Sequence, residues 1–325
     1  MASISDVAKL ANVSRSTVSL VCNNKGYVSK ETREKIEKAM KELNYVPSEL
    51  GRNLKKRRSN IIGIIVPDIA HPFFGTFIKY AERTLFQRGY KTMVRGTAGR
   101  EDVESTFLQM LERKTMDGVI MGAHSLKVEQ YLTISRPIVT LDRYLSESIP
   151  SVHINKTQAA ELAASLFCEK GRKNIVQLVS SYTVPNYEKE KDLIFRKKIE
   201  SYGGTVTDIA IGYNVFTEEG YRHTAKTLFE KYPDVDGIWG TDMAAIACIQ
   251  EAEHYGRHVP GDLSVIALDG TYITRLGQSY TTAIVQPIED LAQKCVDLVI
   301  DMIEKETSQI SETIFDVTIQ EGTTL

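Results

Sequence analysis

At 325 residues, 42% hydrophobic and 25% charged, the chain has the length of two or three domains and the composition of a soluble globular protein. No run of 18 consecutive apolar residues and no basic-then-apolar leader is present in the sequence, which predicts a cytoplasmic protein without a membrane span. The net charge of −2 hides a basic head, since residues 1–59 hold 13 Lys and Arg against 6 Asp and Glu, and this predicts that the head binds a polyanion.

Three helices are predicted in the first 46 residues. Ser5, Ser14 and Ser29 are the candidate N-caps, since a serine hydroxyl accepts a hydrogen bond from the first turn of a helix. Asn12 stands at a turn that requires a left-handed residue. The apolar residues at helical spacing are Val7, Ala8, Ala11, Val18, Val21, Ile36, Ala39, Met40 and Leu43. This pattern predicts a helix-turn-helix with a supporting helix.

From residue 61 onward, continuous apolar runs alternate with amphipathic stretches of helical length. The runs interpreted as strands are 61–66, 118–122, 137–141, 174–179, 237–240 and 263–268. The helical stretches are 73–89, 157–170, 217–231 and 287–305. Apolar strands between helices predict parallel sheets covered on both faces. A first set over 61–155 and a second over about 156–286 predict two similar subdomains, to which 287–305 and 313–319 return.

Distinctive motifs occur throughout the chain. In the head they are SISDVAKLANVSRSTVSLVCNN, YVSKETREKI and LNYVPSELGRNL, and further on VPDIAHPFF, DGVIMG, PIVTLDRY, GTDMAA, DLSVIALDG and VQP. Together they resemble the motifs of the lac repressor/gal repressor family of bacterial transcription regulators. The resemblance implies an N-terminal all-α helix-turn-helix head plus an α/β periplasmic-binding-protein-like core of two doubly wound subdomains.

The resemblance also implies domain boundaries. They are 1–46 for the helix-turn-helix DNA-binding domain, 47–60 for a hinge helix or linker, and 61–325 for an effector-binding and dimerisation core. Within the core, the N-subdomain takes about 61–155 and 287–309, and the C-subdomain takes about 156–286 and 310–325.

For the head, the resemblance makes residues 15–23 a recognition helix in the major groove of DNA. It places Arg15, Ser16 and position 20 against base edges. Leu20 stands where the family usually has Arg, so only apolar contact with a thymine methyl remains there, and Arg15 becomes the candidate for guanine. Hydroxyl and amide side chains that contact the phosphates and the adjacent DNA backbone fix the register of the protein on DNA. The residues for which the resemblance implies such contacts are Ser14, Thr17, Ser19, Asn23, Tyr27, Ser29 and Thr32.

The segment 46–60, VPSELGRNLKKRRSN, has two interpretations. Its composition fits a flexible basic linker. The resemblance instead implies a hinge helix that forms on DNA, in which Leu54 of each subunit of a dimer is a minor-groove wedge. Pro47 suits the first turn of such a helix. Gly51 replaces the usual Ala and weakens the helix by about 1 kcal/mol.

For the core, the ends of the strands mark a candidate cleft for a small effector. The implied effector-binding residues are His71, Phe73, Phe74, Asp142, Arg143, Lys189, Lys191, Phe216, Thr241, Asp242, Asp269 and Gln286. Aspartates at strand ends suit pairs of ligand hydroxyls. Three alternatives stay open: the aromatic residues at 71–74 pack the start of a helix, Asp242 caps the helix that follows it, and either Lys189 or Lys191 replaces a family Arg. Phe216 stands beside Val215, where the family usually has an aromatic residue.

Catalysis, metal binding and cofactor binding are not predicted. The sequence contains no GxGxxG, GxxxxGK[ST] or GxSxG motif. His254 and His258 are separated by Gly256, which favours a surface loop over a metal site. The four cysteines, Cys22, Cys168, Cys248 and Cys295, form no CxxC pair and are predicted to be reduced thiols in the core.

The combined pattern predicts a sequence-specific DNA-binding repressor of carbohydrate-utilisation genes, with a pseudo-palindromic operator and a sugar or sugar phosphate effector. A homodimer is expected, because no heptad run like the lac repressor's tetramer helix follows the last strand. Two alternatives remain: a regulator of the same family that responds to another metabolite or to a protein corepressor, and a sugar-binding protein without a DNA role.

Overall fold

The computed structural model describes residues 2–24, 26–47, 58–97, 100–123, 128–134, 136–180, 188–212, 216–277, 280–305 and 312–325. They fall into two compact units, Met1–Ser59 and Asn60–Leu325, here named the head and the core. The hinge-helix prediction centres on residues 48–57, so it lies outside the described residues together with Gly51 and Leu54.

The described residues of the head form three helices: α1 (Ile4–Leu10), α2 (Arg15–Cys22) and α3 (Lys30–Glu42). Ser14 and Ser29 cap α2 and α3 as predicted. The prediction for Ser5 is wrong, because Ser3 is the N-cap of α1. The Ser3 side chain accepts from the Asp6 backbone N–H, and the Asp6 carboxylate accepts from the Ser3 backbone N–H at 2.9 Å. This reciprocal capping box starts the helix one residue before Ser5.

A small apolar cluster joins the three helices of the head. Its buried residues are Val7, Ala8, Ala11, Val18, Val21, Ile36 and Ala39. Asn12 has a φ of +52° in the turn between α1 and α2, which confirms the left-handed conformation predicted there. Small alanine side chains and this sharp turn let two short helices pack closely.

The core contains two six-stranded sheets. The strands and helices of its first half are β1 (Ile61–Val66), α4 (Pro72–Gln87), β2 (Lys91–Gly96), α5 (Glu101–Glu112), β3 (Gly118–Met121), α6 (Val128–Leu132), β4 (Ile138–Leu141) and β5 (Ser151–Ile154). The first sheet has the order β11-β5-β4-β3-β1-β2 and all its pairs are parallel. β1, β3 and β4 are the apolar runs that the sequence predicted.

The second half of the core repeats this arrangement. Its elements are α7 (Lys156–Glu169), β6 (Asn174–Ser180), α8 (Glu188–Ser201), β7 (Thr205–Ile211), α9 (Glu218–Lys231), β8 (Gly237–Thr241), α10 (Asp242–His254), β9 (Ser264–Asp269), a 3-10 turn (Tyr272–Arg275), β10 (Thr282–Val285), α11 (Ile288–Lys305), β11 (Glu312–Phe315) and β12 (Thr318–Gln320). The second sheet has the order β12-β10-β9-β8-β6-β7, and β12 is antiparallel to β10.

The chain crosses between the two sheets three times, after β5, after β10 and after β11. Hydrogen bonds connect the first and third crossings: Asn155 Nδ2 donates to Asp316 Oδ1 at 3.0 Å, and the Val317 N–H donates to Gln158 Oε1 at 2.7 Å.

The predicted assignment of residues 310–325 to the C-subdomain is partly wrong. Residues 312–315 extend the first sheet beside β5, and only 318–320 join the second.

The late helix α11 returns to the first half of the core, where Val299 packs directly on β3. A Cβ atom at Gly118 would lie 2.5 Å from Val299 Cγ2, so glycine is required at this close approach. Of the four cysteines, Cys248 and Cys295 are buried as predicted, whereas Cys22 and Cys168 are half-buried. In the described part of the chain, none of the helices combines the length and the apolar character that crossing a membrane requires.

Candidate functional site

The head exposes a polar surface at the start of α2. Ser14, Arg15 and Ser16 are all exposed, and the helix has no acidic residue in its first turn. Ser14 Oγ accepts from the Thr17 N–H at 3.1 Å and lies 2.7 Å from Ser16 Oγ. A helix N-terminus rich in hydroxyls, with a guanidinium beside it, provides the donors and the positive potential that phosphates require.

The remaining DNA-binding candidates of the head divide into exposed and engaged side chains. Tyr27 is 94% exposed and Leu20 is 39% exposed, so both are available to a partner. Asn23 is half-buried, and its Nδ2 donates to the Ser19 carbonyl oxygen at 2.7 Å. Asn23 therefore also closes the end of α2, a structural role that the sequence did not indicate. Ser29 and Thr32 are linked by the cap of α3, in which Ser29 Oγ accepts from the Thr32 N–H at 3.3 Å.

Arg15 is exposed, so the predicted contact of its guanidinium with guanine can be tested. We expect Arg15→Ala to weaken operator binding by about 1–3 kcal/mol and to relax the preference at one guanine of each half-site, since a bidentate contact is lost. Thr17→Ala is the matched control, because losing a phosphate contact weakens binding to all sequences alike. Binding-site selection on both variants measures this, and an unchanged preference for Arg15→Ala would contradict the assignment.

In the core, an aromatic cluster lies where the two halves face each other. The ring centroids of His71 and Phe216 are 5.3 Å apart, those of His71 and Phe74 are 5.5 Å apart, and those of Phe74 and Phe216 are 6.2 Å apart. Phe73 packs edge-on against Phe74 at 5.2 Å. His71, Phe73 and Phe74 come from the start of α4, whereas Phe216 precedes α9. The four side chains thus form a wall that joins both halves of the core.

His71 is the polar member of this wall. It is the N-cap residue of α4, but its side chain makes no capping bond, and neither ring nitrogen has a hydrogen-bond partner in the described part of the chain. Burial lowers the pKa of His71 from 6.5 to about 4, against the opposing charge of Asp68. The imidazole is therefore neutral at physiological pH and offers one donor and one acceptor to a bound molecule.

The pH dependence of stability tests the environment of His71. Because the folded pKa lies below the unfolded value, the unfolded chain takes up a proton between pH 6.5 and pH 4 and the folded chain resists it, so stability falls as the pH falls. We expect the stability advantage of wild type over His71→Asn to shrink by about 3 kcal/mol between pH 7 and pH 4. Urea unfolding at both pH values measures it. A constant difference would place the imidazole in a solvated environment.

Asp269 and Gln286 meet at the ends of neighbouring strands of the second sheet. Gln286 Nε2 donates to Asp269 Oδ1 at 2.7 Å, and both side chains are buried. Asp269 has a φ of +118°, a conformation that is rare outside glycine. Backbone strain of this kind concentrates at ligand sites, where the surrounding structure holds a side chain in a required direction.

Asp142 ends β4 in the first half of the core, and it also has a positive φ, of +55°. Its Oδ1 forms an ion pair with Lys156 Nζ at 2.8 Å, and Lys156 is buried at the start of α7. Asp142 is therefore engaged by a lysine that the sequence did not single out, rather than presenting a free carboxylate. Arg143 donates from Nε to the Gly122 carbonyl oxygen at 3.3 Å.

The structure corrects the role of Asp242. This residue is the first of α10 and is only 1% exposed. Its Oδ1 accepts from the Gly270 N–H at 3.0 Å, and its Oδ2 accepts from the N–H and the hydroxyl of Thr271 at 2.7 and 2.6 Å. Asp242 thus fastens the loop after β9 instead of offering its oxygens to a ligand. Thr241, rather than Asp242, is the N-cap residue of α10, so the capping alternative is also wrong.

Of the two lysines predicted at the start of α8, only Lys191 is buried. Lys189 is exposed, which removes it from the candidate site. Lys191 Nζ lies 4.8 Å from the centre of the Trp239 ring and 3.4 Å from Asp192 Oδ1. The buried amide of Gln177 donates to Asp192 at 2.6 Å. Trp239, Asp192 and Gln177 were not predicted, because their places in the apolar β8, in α8 and in β6 resemble ordinary core positions.

Tyr221 is a further side chain that the sequence analysis missed. It is buried on α9, five residues after Phe216. Burial raises the pKa of its phenol, and the negative charges of Asp269 and Asp68 raise it further. Tyr221 therefore lies within electrostatic reach of the Asp269 end of the cleft. The signal was present in the GYR sequence after TEE, but a tyrosine at helical spacing is indistinguishable from a core residue.

Comparison with known protein families gives one match over each compact unit. Residues 3–48 match bacterial regulatory proteins, lacI family. Residues 59–320 match the periplasmic binding proteins and sugar binding domain of LacI family. Together the two matches span nearly the whole chain.

Individual proteins agree with the family matches. The ribose operon repressor of Halalkalibacterium halodurans is 34% identical over 310 residues, covering 94% of this chain and 91% of the relative. The sucrose operon repressor of Streptococcus mutans serotype c is 32% identical over 305 residues, covering 94% and 93%. The solved lac repressor dimer bound to operator and the anti-inducer ONPF has a TM-score of 0.84 at 21% identity, covering 99% of this chain and 98% of that chain. This last likeness confirms the predicted fold.

Proposed function

The chain belongs to the lacI family of bacterial regulatory proteins, and we propose that it is a sequence-specific DNA-binding repressor of carbohydrate-utilisation genes. The observation that carries this proposal is the union of two units in one chain. A basic head with an exposed, hydroxyl-rich α2 precedes a core whose strand ends converge on a polar cleft. The alternative, a sugar-binding protein without a DNA role, explains the core but does not explain the basic head.

The DNA partner follows from the head. Arg15, Ser16 and Leu20 of α2 would face base edges in the major groove. Tyr27 and the hydroxyls of Ser14, Thr17, Ser19 and Thr32 would contact phosphates. A homodimer would place two such helices on the half-sites of a pseudo-palindrome. The lac repressor of similar fold is a dimer on its operator, which supports this arrangement.

The small-molecule partner follows from the core. We assign the effector site to the cleft lined by His71, Phe74, Phe216, Asp269 and Gln286, where aromatic faces and paired polar groups suit a sugar ring. Relatives named for the ribose and sucrose operons support a carbohydrate. Phe73 and Lys191 would support the two walls, whereas Asp142 with Lys156, Arg143, Thr241 and Asp242 would hold the surrounding loops.

The mode of action is regulatory rather than catalytic. Proteins of this family are transcription regulators, and we assign the chain no reaction, metal or cofactor. We place it in the cytoplasm, where its operator would be. An effector changes operator affinity only through its different affinity for two arrangements of the dimer.

Salt dependence and operator symmetry test the proposal directly. We expect the full-length protein to select a pseudo-palindrome from random duplexes, and its affinity for that site to fall steeply with salt, because each neutralised phosphate contributes a slope of about −0.9 in log affinity against log salt. Electrophoretic mobility shifts between 50 and 300 mM salt measure this slope, which we expect to be about −4 or steeper for several contacts. A nearly flat dependence on the selected site would contradict the DNA-binding assignment.

A further inference from the structure

The residues at the N-termini of the helices around the cleft indicate whether the effector carries a charge. In doubly wound folds, a phosphate group is commonly bound by the N–H groups at the start of a helix that follows a strand. In the described part of the core, four helices that follow a strand begin with proline or acidic residues, whereas α7 begins with Lys156, which is paired with Asp142. α4 begins with Pro72, α9 with Glu218 and Glu219, α10 with Asp242, and α11 carries Glu289 and Asp290 in its first turn.

These residues change what a helix start can bind. Proline at the first position of α4 has no N–H to donate. A carboxylate in the first turn compensates the positive end of the helix dipole and repels a second anion. Asp242 is the clearest case, since it is buried and both of its carboxylate oxygens accept hydrogen bonds from the loop at 270–271.

Two lysines at the cleft are paired with carboxylates, while Arg143 donates to the Gly122 carbonyl oxygen. Lys156 forms an ion pair with Asp142 at 2.8 Å, and Lys191 lies 3.4 Å from Asp192 while it also covers the Trp239 ring. A phosphate that took over one of these lysines would leave behind the buried carboxylate of Asp192 or the half-buried carboxylate of Asp142. A neutral hydroxyl has no such cost.

Nearby carboxylates affect the pKa values of two titratable groups at the cleft, His71 and Tyr221. His71 and Tyr221 are both dominated by burial, which lowers the pKa of the first and raises that of the second. Beyond burial, Asp68 acts on both groups and Asp269 acts on Tyr221. The carboxylates of Asp68 and Asp269 therefore contribute negative charge near the aromatic wall.

We propose that the effector is an uncharged sugar without a phosphate or carboxylate group, bound with its ring against His71, Phe74 and Phe216 and its hydroxyls on Asp269 and Gln286. This inference rests on the proposed function and narrows it. The buried imidazole of His71 supplies a donor and an acceptor of the kind that a pair of ring hydroxyls satisfies. The helix starts and ion pairs around the cleft exclude the charged form of the same sugar.

Matched pairs of sugars test this inference on the full-length protein. The pairs are D-ribose with D-ribose 5-phosphate, sucrose with sucrose 6-phosphate, and D-glucose with D-glucose 6-phosphate. Thermal shift identifies any pair that binds, and calorimetry at 50 mM salt measures both affinities. We expect the unphosphorylated member of a binding pair to bind at least tenfold more tightly. Operator binding by the same preparation is measured in parallel.

Two variants test whether the preference for the unphosphorylated sugar depends on the carboxylates near the cleft. Asp68→Asn keeps the side-chain oxygen that accepts from the Ala70 N–H, and it should narrow the discrimination against the phosphorylated sugar several-fold. Asp301→Asn, on the exposed face of α11, is the matched control and should leave the discrimination unchanged. Tighter binding of the phosphorylated sugar of a pair overturns this inference. If the same protein still binds operator, the proposed function as a DNA-binding regulator stands. A panel in which no pair binds overturns the sugar effector and this inference together.

Discussion

We expect the Asp242→Ala variant to lose about 3–5 kcal/mol of unfolding free energy, because three donors are left buried without their acceptor. These are the N–H groups of Gly270 and Thr271 and the Thr271 hydroxyl, all within 3.0 Å of the carboxylate. Asp290→Ala is the control, since Asp290 stands in the first turn of α11 but is exposed. It should cost no more than about 1 kcal/mol.

The pH dependence of this loss sharpens the prediction. Burial raises the pKa of Asp242 to about 6, although its hydrogen bonds to Thr271 and Gly270 oppose the change. The folded state therefore holds a proton that the unfolded chain releases above its ordinary value of 3.8, and the contribution of Asp242 to stability decreases as the pH rises toward 6. The loss caused by Asp242→Ala should be about 1 kcal/mol larger at pH 5 than at pH 7. Comparing the two proteins at each pH cancels the contribution of His71. A loss below 1 kcal/mol at both values would mean that the loop is held by other contacts.

Neutralising Asp269 should abolish the response to the effector while leaving the repressor on its operator. Asp269→Asn keeps the volume and tolerates the positive φ better than alanine does, but it removes the charged acceptor of paired hydroxyls. We expect the affinity for the sugar that gives the largest thermal shift to fall at least 100-fold, on the order of 3 kcal/mol.

Operator affinity measured without and with that sugar separates this effect from misfolding. In its absence the Asp269→Asn protein should bind operator within about twofold of wild type, because the head does not use this residue. Asp301→Asn serves as the control and should respond normally. An Asp269→Asn protein with an unchanged response would move the site to another part of the cleft.

The elements that the sequence predicted correctly are those buried on both faces. β1, β3, β4, β8 and β9 are continuous apolar runs because helices cover both sides of their sheets. β2, β5 and β7 were missed. β5 is buried but is only four residues long and contains the polar residues Ser151 and His153. β2 and β7 stand at the open edge of a sheet with several exposed residues. A strand at an edge is covered less completely, so its sequence mixes polar and apolar residues and lacks the pattern of a buried strand.

The cleft was predicted less well than the fold, for a different physical reason. Asp242 and Asp269 look alike in sequence, since each follows an apolar run at the end of a strand. Only the three-dimensional structure distinguishes their roles, because the oxygens of Asp242 accept hydrogen bonds from the loop at 270–271. In the same way, the partner of Asp142 is Lys156, from the start of the helix that begins the other half of the core. Local sequence patterns do not specify such pairs.

The three crossings of the chain have a consequence for its synthesis. The first sheet receives β5 at residue 154, but α11 and β11, which cover and extend it, end only at residues 305 and 315. At the usual pace of a bacterial ribosome, the intervening residues take on the order of ten seconds or more to emerge. During that time the surface of β3 that Val299 later covers is open to solvent. The nascent polypeptide thus exposes apolar surface of the first sheet until α11 has been synthesised, and a chain interrupted between residues 154 and 305 holds two incomplete sheets rather than one finished one.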